Sequence, residues 1–421
     1  MATSRIKKIL LLLLNIFLYF IYGKNIIVLL ITSILTYYFG NIIVKKKSYF
    51  IMTILISIIL LPLIFFKYLI NIMEISIIVP LGISYYTLSL ISYLSDMYHK
   101  RYQEANSLID FLLFSLYFPC LFIGPINRYD TFSLELKKIS FKKDNVFNSL
   151  LRISFGLIKK LIIANKLMIV INTIANNKEF TGLYVLFACL LYSILLYCDF
   201  SGGIDIVLGI SKIFNIDLVE NFNHPYLSES IKEFWRRWHI SLSSWLKDYV
   251  YIPLGGNRGS TLMTKVNVLV TFLISGLWHG IHYILWGILN GILVILNFKT
   301  KKRVVNIILT FITISLLWIF FIYNNTFLSI EMFISIFTKF DINVVTNFLS
   351  LGLNIYEIII VFIFLMMVII YERKKDVMEK RFSSFKIENK VALILLLIIL
   401  ILLFGNYGLD VNGNNFIYGS F

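Results

Sequence analysis

The chain has 421 residues, of which 59% are hydrophobic and only 15% charged, and its mean hydropathy is +0.84. A soluble globular domain carries roughly 25% charged residues, so this composition excludes a water-soluble fold and points to an all-α polytopic membrane protein. The formal net charge of +16 would suit nucleic acid. Its cations, however, are scattered through short connections between apolar runs, which fits positive-inside topology and acidic lipid headgroups instead.

A membrane-crossing helix needs roughly 17–25 mostly apolar residues. In chain order, the first runs that reach this length, some with flanking residues, are Ile9–Ile21, Ile26–Val44, Phe50–Phe66 and Ile75–Leu94. The first has no small-residue cleavage site and passes through "GKN" into the second, so it is expected to be a span and not a cleaved signal peptide. Phe111–Ile126 and Leu183–Phe200 end in polar or Gly/Pro motifs and are expected to be broken or re-entrant. Val268–Leu296, Val305–Ile322, Ile358–Ile370 and Val391–Phe404 complete the series. The expectation is one membrane domain over residues 1–421, with about ten or eleven transmembrane helices plus re-entrant or interfacial ones. Arg5–Lys8, Lys45–Lys47, His99–Arg101, Lys137–Lys143, Lys299–Arg303 and Glu372–Lys380 are expected on the cytoplasmic side. The sidedness is consistent for the first four spans and ambiguous in the middle of the chain.

The polar chemistry is concentrated in two places. Glu233–Leu246 reads "EFWRRWHISLSSWL". On a helical wheel Ile231, Trp235, Trp238, Leu242, Leu246 and Tyr249 share one face, and Lys232, Glu233, Arg236, Ile240, Ser243 and Lys247 lie mostly opposite. Ser230 three residues before Glu233 predicts a capping box and the helix start, and Glu233 is placed to pair with Arg237 at i,i+4. This helix is too charged to span. It is expected in the membrane interface with its tryptophans at headgroup depth. His239 falls at the edge of the apolar stripe, where a hydrogen-bonded core role and a functional one are both open.

The second place is Ser275–Gly287, "SGLWHGIHYILWG", inside an apolar run. Ionisable groups at membrane depth are costly and point to function. His279, Tyr283 and Trp286 share a helix face, and Gly276 and Gly280 form a small-xxx-small pair that favours close helix packing. His282 is one residue off that face. A neutral imidazole takes a proton from a hydroxyl near neutral pH. No serine or cysteine sits beside a base in a nucleophile motif, so direct transfer without a covalent intermediate is the simpler chemistry. Cys120, Cys189 and Cys198 have unrelated spacings and read as core residues, with no metal-ligand pattern. "LGGNRG" at Leu254–Gly259 lacks the Lys-Ser/Thr ending of a phosphate-binding loop. For Asp199, an ionisable group in an apolar run, function and a structural hydrogen bond are equally open.

Five ordered pieces between residues 81 and 291 carry a resemblance. They are "GISYYTLSLISYLSDMYHKR" (Gly82–Arg101), "FIGPINRY" (Phe122–Tyr129), "YCDFSGGIDIVLGI" (Tyr197–Ile210), Glu220–Gly259, which contains "EFWRRWHISLSSWLKDY", and "GLWHG" (Gly276–Gly280). Together they resemble the membrane-bound O-acyltransferase (MBOAT) family. The similarity is to its bacterial alginate O-acetylation branch, with the D-alanyl transfer protein of teichoic acid synthesis as a cousin. The ending "NFIYGSF" resembles that branch as well.

The resemblance implies a ring of helices with a tunnel joining a cytoplasmic acyl thioester donor, acetyl-CoA or an acyl carrier, to an acceptor hydroxyl outside. It implies His279 as the catalytic histidine and His239 as the second motif histidine. Asp199, Trp235, Arg236, Tyr283 and Arg128 are weaker candidates for the substrate path. No bound cofactor or metal and no nucleic acid is expected. The expected partners are membrane lipids, the thioester donor and an extracytoplasmic acetyltransferase or other acceptor-side protein, at a bacterial plasma membrane. Lys247 stands where the family usually has arginine, which keeps the charge and loses the bidentate fork. Gly203-Ile204 replaces a usual Tyr-Ser. "YIPLGGNRG" tilts the acyl group toward acetyl and away from D-alanyl. A non-enzymatic transporter would be expected to show repeat symmetry, and no internal repeat is visible.

Overall fold

A computed structural model describes residues 2–407 except 24, 71, 72, 74–76, 102–106, 341 and 342. The "NFIYGSF" ending and the start of the Ile75–Leu94 run lie outside the described residues. Among those described, every regular element is a helix, with one isolated bridge pair at Phe222 and Trp238. Among the described residues seven helices are long and apolar enough to cross a membrane, and Leu108–Phe122, Ile281–Leu296 and Thr326–Thr338 are shorter apolar ones. Large side chains such as Phe50, Leu61, Phe362 and Leu402 remain exposed on these helices, as a lipid-facing surface requires. The all-α polytopic membrane class is borne out.

The chain packs as two compact units. The first comprises Met1–Lys142, Ile210–Glu220 and Ser241–Gly256, and the second Lys143–Gly209, Asn221–Ile240 and Asn257–Phe421. In the first, Ile26–Lys46 and Tyr49–Ile64 both pack on Ile83–Tyr98, which is buried over nearly its whole length. Gly40 makes room for the Tyr93 ring, since a Cβ there would sit 2.7 Å from it. Ile83–Tyr98 starts later than the apolar run suggested, after a turn at Leu81 and Gly82 in which Gly82 has φ 73°. Phe111–Ile126 is broken as expected, into Leu108–Ser115 and Phe118–Phe122.

In the second unit two expectations are corrected. The run beginning at Leu183 is neither broken nor re-entrant, and the helix continues through "DFSGG" to Ile213. Its acidic residues are neutralised within the unit, Asp199 by Lys160 and Asp205 by Lys159 and Arg152. Gly202 and Gly209 let the neighbouring helix Lys143–Leu157 approach, as a Cβ at 202 would meet the Gly156 carbonyl at 2.7 Å. With 61% of its apolar window buried, against 22% for Ile355–Arg373, this is the most buried of the seven candidate spans.

Val268–Leu296, expected as one span, is a hairpin. Thr261–His279 ends at Gly280 (φ 146°), a 3-10 turn covers Ile281–Tyr283, and Ile284–Leu296 runs back. The two arms touch at Gly276 and Gly287, where a Cβ on either would lie 3.2 Å from the Cα of the other. Gly276 thus supports close packing as expected, whereas Gly280 makes the turn.

Candidate functional site

The stretch 230–249 is not one amphipathic helix. Ser230 Oγ accepts from the Glu233 amide at 3.3 Å and caps Ile231–Arg237. Glu233 accepts from Arg237 at 2.6 Å and from the Glu229 amide at 2.9 Å, so its reach-back bond goes one residue further than a capping box requires. The helix then stops because its backbone pairs elsewhere. The Asn223 amide donates to Arg237 O and the Ile240 amide to Asn221 O, both at 3.0 Å, around the Phe222–Trp238 bridge.

His239, in the left-handed region at φ 45°, turns the chain into Ile240–Leu246. Histidine is among the few side chains enriched in that conformation. Lys247 therefore lies beyond the break, on a different helix from Lys232 and Arg236, and all three are exposed. The tryptophans are not headgroup anchors. Trp238 and Trp245 are buried and Trp235 is half-buried.

His239 is 1% exposed, with Phe200 edge-on at 4.8 Å and the Trp278 ring at 6.3 Å. Desolvation pushes its imidazole down to about 3, so the ring is neutral across the physiological range. His279 is the last residue of its helix and is 3% exposed. Its ring meets Trp278 at 4.8 Å, Trp286 and Phe321 at 5.5 Å, and Tyr283 at 6.2 Å. Tyr283 and Trp286 reach it because the hairpin apex folds them back, and not by sharing one helix face.

The Tyr283 hydroxyl donates to Asn324 Oδ1 at 2.9 Å, which fixes that ring. Trp318 connects the two histidine environments, stacking near Trp238 (5.4 Å), Trp286 (6.0 Å) and Phe321 (5.3 Å). Five of the six tryptophans thus form one aromatic wall. Trp235 anchors it, its Nε1 donating to Asn290 Oδ1 at 3.2 Å. Both histidines share Trp278 as a neighbour, in a water-poor environment that strengthens any proton-transfer contact.

Of the other sequence candidates, Tyr283 and Trp235 join this wall. Asp199 is fully buried, and its carboxylate is bound to Lys160 on the π-helical turn Ile158–Ala164. Arg236 is exposed. Arg128 belongs to the first unit, where it pairs with Asp248 at 3.2 Å and its guanidinium lies 4.3 Å from the Tyr249 ring. The Tyr249 hydroxyl donates to Asp96 at 2.7 Å, and Arg101 pairs with Asp96 at 2.9 Å. Three of the five motif pieces therefore meet in one polar cluster within the first unit.

Sequence reasoning missed a second cluster. Lys159 is 2% exposed and pairs with Asp205 at 2.7 Å and with Glu372, which also accepts from Tyr197 at 2.8 Å. In a regular helix adjacent side chains point about 100° apart, and the wider π turn lets both Lys159 and Lys160 face carboxylates. The adjacent lysines in the apolar "IKKLIIA" were the available signal.

The sequence profile of the membrane-bound O-acyltransferase family matches residues 101–372. The chain is 37% identical over 271 residues to the probable alginate O-acetylase AlgI of Pseudomonas aeruginosa, covering 62% of this chain and 52% of that protein. It is 36% identical over 296 residues to the peptidoglycan O-acetyltransferase of Helicobacter pylori, covering 59% and 55%. The teichoic acid D-alanyltransferase of Bacillus subtilis is 31% identical over 229 residues, covering 51% and 57%. The chain spans about half the length of the curated relatives it matches.

Proposed function

Because the chain belongs to the membrane-bound O-acyltransferase family, we propose that it transfers an acetyl group from a cytoplasmic thioester to a hydroxyl of an extracytoplasmic polysaccharide or cell-wall glycan. The observation that carries this reading is His279, an imidazole buried at the apex of an apolar hairpin. As the acceptor oxygen attacks the thioester carbonyl, His279 takes the hydroxyl proton. The new C–O bond forms, the C–S bond breaks, and the proton is returned to the departing thiolate. General base catalysis of this kind is worth about 10²–10⁴-fold, and the aromatic wall adds exclusion of water. His239, neutral and one tryptophan away, assists by holding or relaying a proton. The donor, acetyl-CoA or an acylated carrier, is a substrate, so the scheme uses no resident cofactor. An acceptor-side protein, such as an extracytoplasmic acetyltransferase, is the proposed partner.

The alternative is D-alanyl transfer from a carrier protein to teichoic acid, supported by the B. subtilis relative at 31% identity. The two O-acetylating relatives at 36–37% favour acetyl. Mass analysis of surface glycans from cells with and without the gene tests both. Loss of O-acetyl with D-alanine retained is the expected result. Loss of ester-linked D-alanine selects the alternative, and no change in either ester removes the acyltransferase reading.

A further inference from the structure

Helices Leu183–Ile213 and Ile355–Arg373 leave a cavity of about 250 Å³ between them, closed on a third side by the turn Pro225–Leu227. On Ile355–Arg373 the lining residues are Leu365, Val368, Ile369, Glu372 and Arg373. That spacing is a single stripe, about 12 Å long at 1.5 Å per residue. Ile194, Tyr197 and Cys198 form the opposite wall. The result is an apolar slot beside two candidate spans.

Its polar end coincides with the end of a span. Glu372 is already neutralised by Lys159 and by the Tyr197 hydroxyl, so it does not set the charge there. Arg373 and Lys374 are exposed. From Arg373 to Arg381 the chain carries five cations against two carboxylates. A slot walled by hydrocarbon holds water poorly, and its cationic end sits where a bilayer presents its headgroups.

We infer that this slot seats one acyl chain of an acidic phospholipid, with the phosphate held by Arg373 and Lys374. The shape accounts for the chain, and the net positive charge at the end selects an anionic over a zwitterionic headgroup. The occupant comes from the surrounding bilayer. The inference is independent of which acyl group the enzyme transfers, and its readout is lipid binding and not acylation.

The full-length protein in detergent is titrated with phosphatidylglycerol and with phosphatidylcholine and followed by native mass spectrometry. Phosphatidylglycerol is expected to bind at least tenfold more tightly. The double variant R373E/K374E should lose that preference, and Leu365→Trp, which fills the slot from its half-exposed rim, should lose the bound lipid. On the unmodified protein, phosphatidylglycerol with a diazirine in its chain should label Leu365 or Ile369. Equal binding of the two lipids, wild-type binding by either variant, or labelling confined to residues outside the slot lining would each overturn the assignment.

Discussion

His279 and His239 are both buried imidazoles, yet they answer to different tests. His279→Ala and His279→Gln should both lower acyl transfer by about 10²–10⁴-fold, the range of a lost general base, with the protein still eluting as a folded species in detergent. Glutamine keeps a hydrogen bond at that place and cannot accept the proton, so an active Gln variant would make the residue structural. For His239 the sign of the pH effect follows from its depressed proton affinity. Its imidazole sits at about 3 when folded and near 6.5 when unfolded. The unfolded chain therefore takes up a proton that the folded one refuses as pH falls below about 6.5. Stability contributed by the neutral ring is present above that value and is lost progressively on going down toward pH 3. His239→Asn keeps a side chain tolerant of φ 45° and should shrink the fall in Tm between pH 7.5 and pH 5, measured in detergent. An unchanged fall would assign the pH dependence to another group. The same variant should lower activity less completely than loss of His279.

The hairpin Thr261–Leu296 depends on three glycines, two where its arms touch and one at its turn. A Cβ at Gly276 would stand 2.5 Å from the Tyr283 carbonyl and one at Gly287 2.4 Å from the Phe272 carbonyl, and neither backbone atom can move aside cheaply. Gly276→Ala and Gly287→Ala should therefore each destabilise by about 1–3 kcal/mol, the usual range for overpacking. Activity should fall further than stability does, because Gly276 sits one turn before His279. Thermal unfolding measured beside acyl transfer separates the two effects. The presence of this apolar segment and the depth of His279 were legible from residue types alone. The reversal was not, since Val268–Leu296 carries no Asp, Glu, Lys or Arg to mark a turn and the break depends on a backbone angle at Gly280 that composition does not encode. The helix through "DFSGG" was misjudged for a related reason, because the lysines that neutralise its aspartates lie some forty residues earlier in the chain. The break at Trp238 and His239 was hidden too. It is made by pairing with residues 221–223, and a helical wheel sees only its own strip of sequence.

Across the whole molecule, charge follows two regimes: exposed cations distributed along the connections, and interior ions held in pairs. The Lys160–Asp199 pair is of the second kind, with both side chains buried. Lys160→Met removes the cation bound to the buried Asp199 carboxylate and should destabilise by about 3–5 kcal/mol, whereas Lys160→Met with Asp199→Leu should recover most of that loss. Detergent-extracted yield and Tm of the two variants decide it, and a double variant as unstable as the single one would show that the pair does more than neutralise itself. The hairpin has a further consequence for how the chain is threaded. Since its arms run antiparallel and meet at Gly276 and Gly287, the polypeptide leaves the pair on the face where it came in. A reporter inserted at Arg258 and another at Lys301 must then be cut by protease, or light up, in the same compartment. A count that treats Val268–Leu296 as one crossing assigns every later loop to the wrong side.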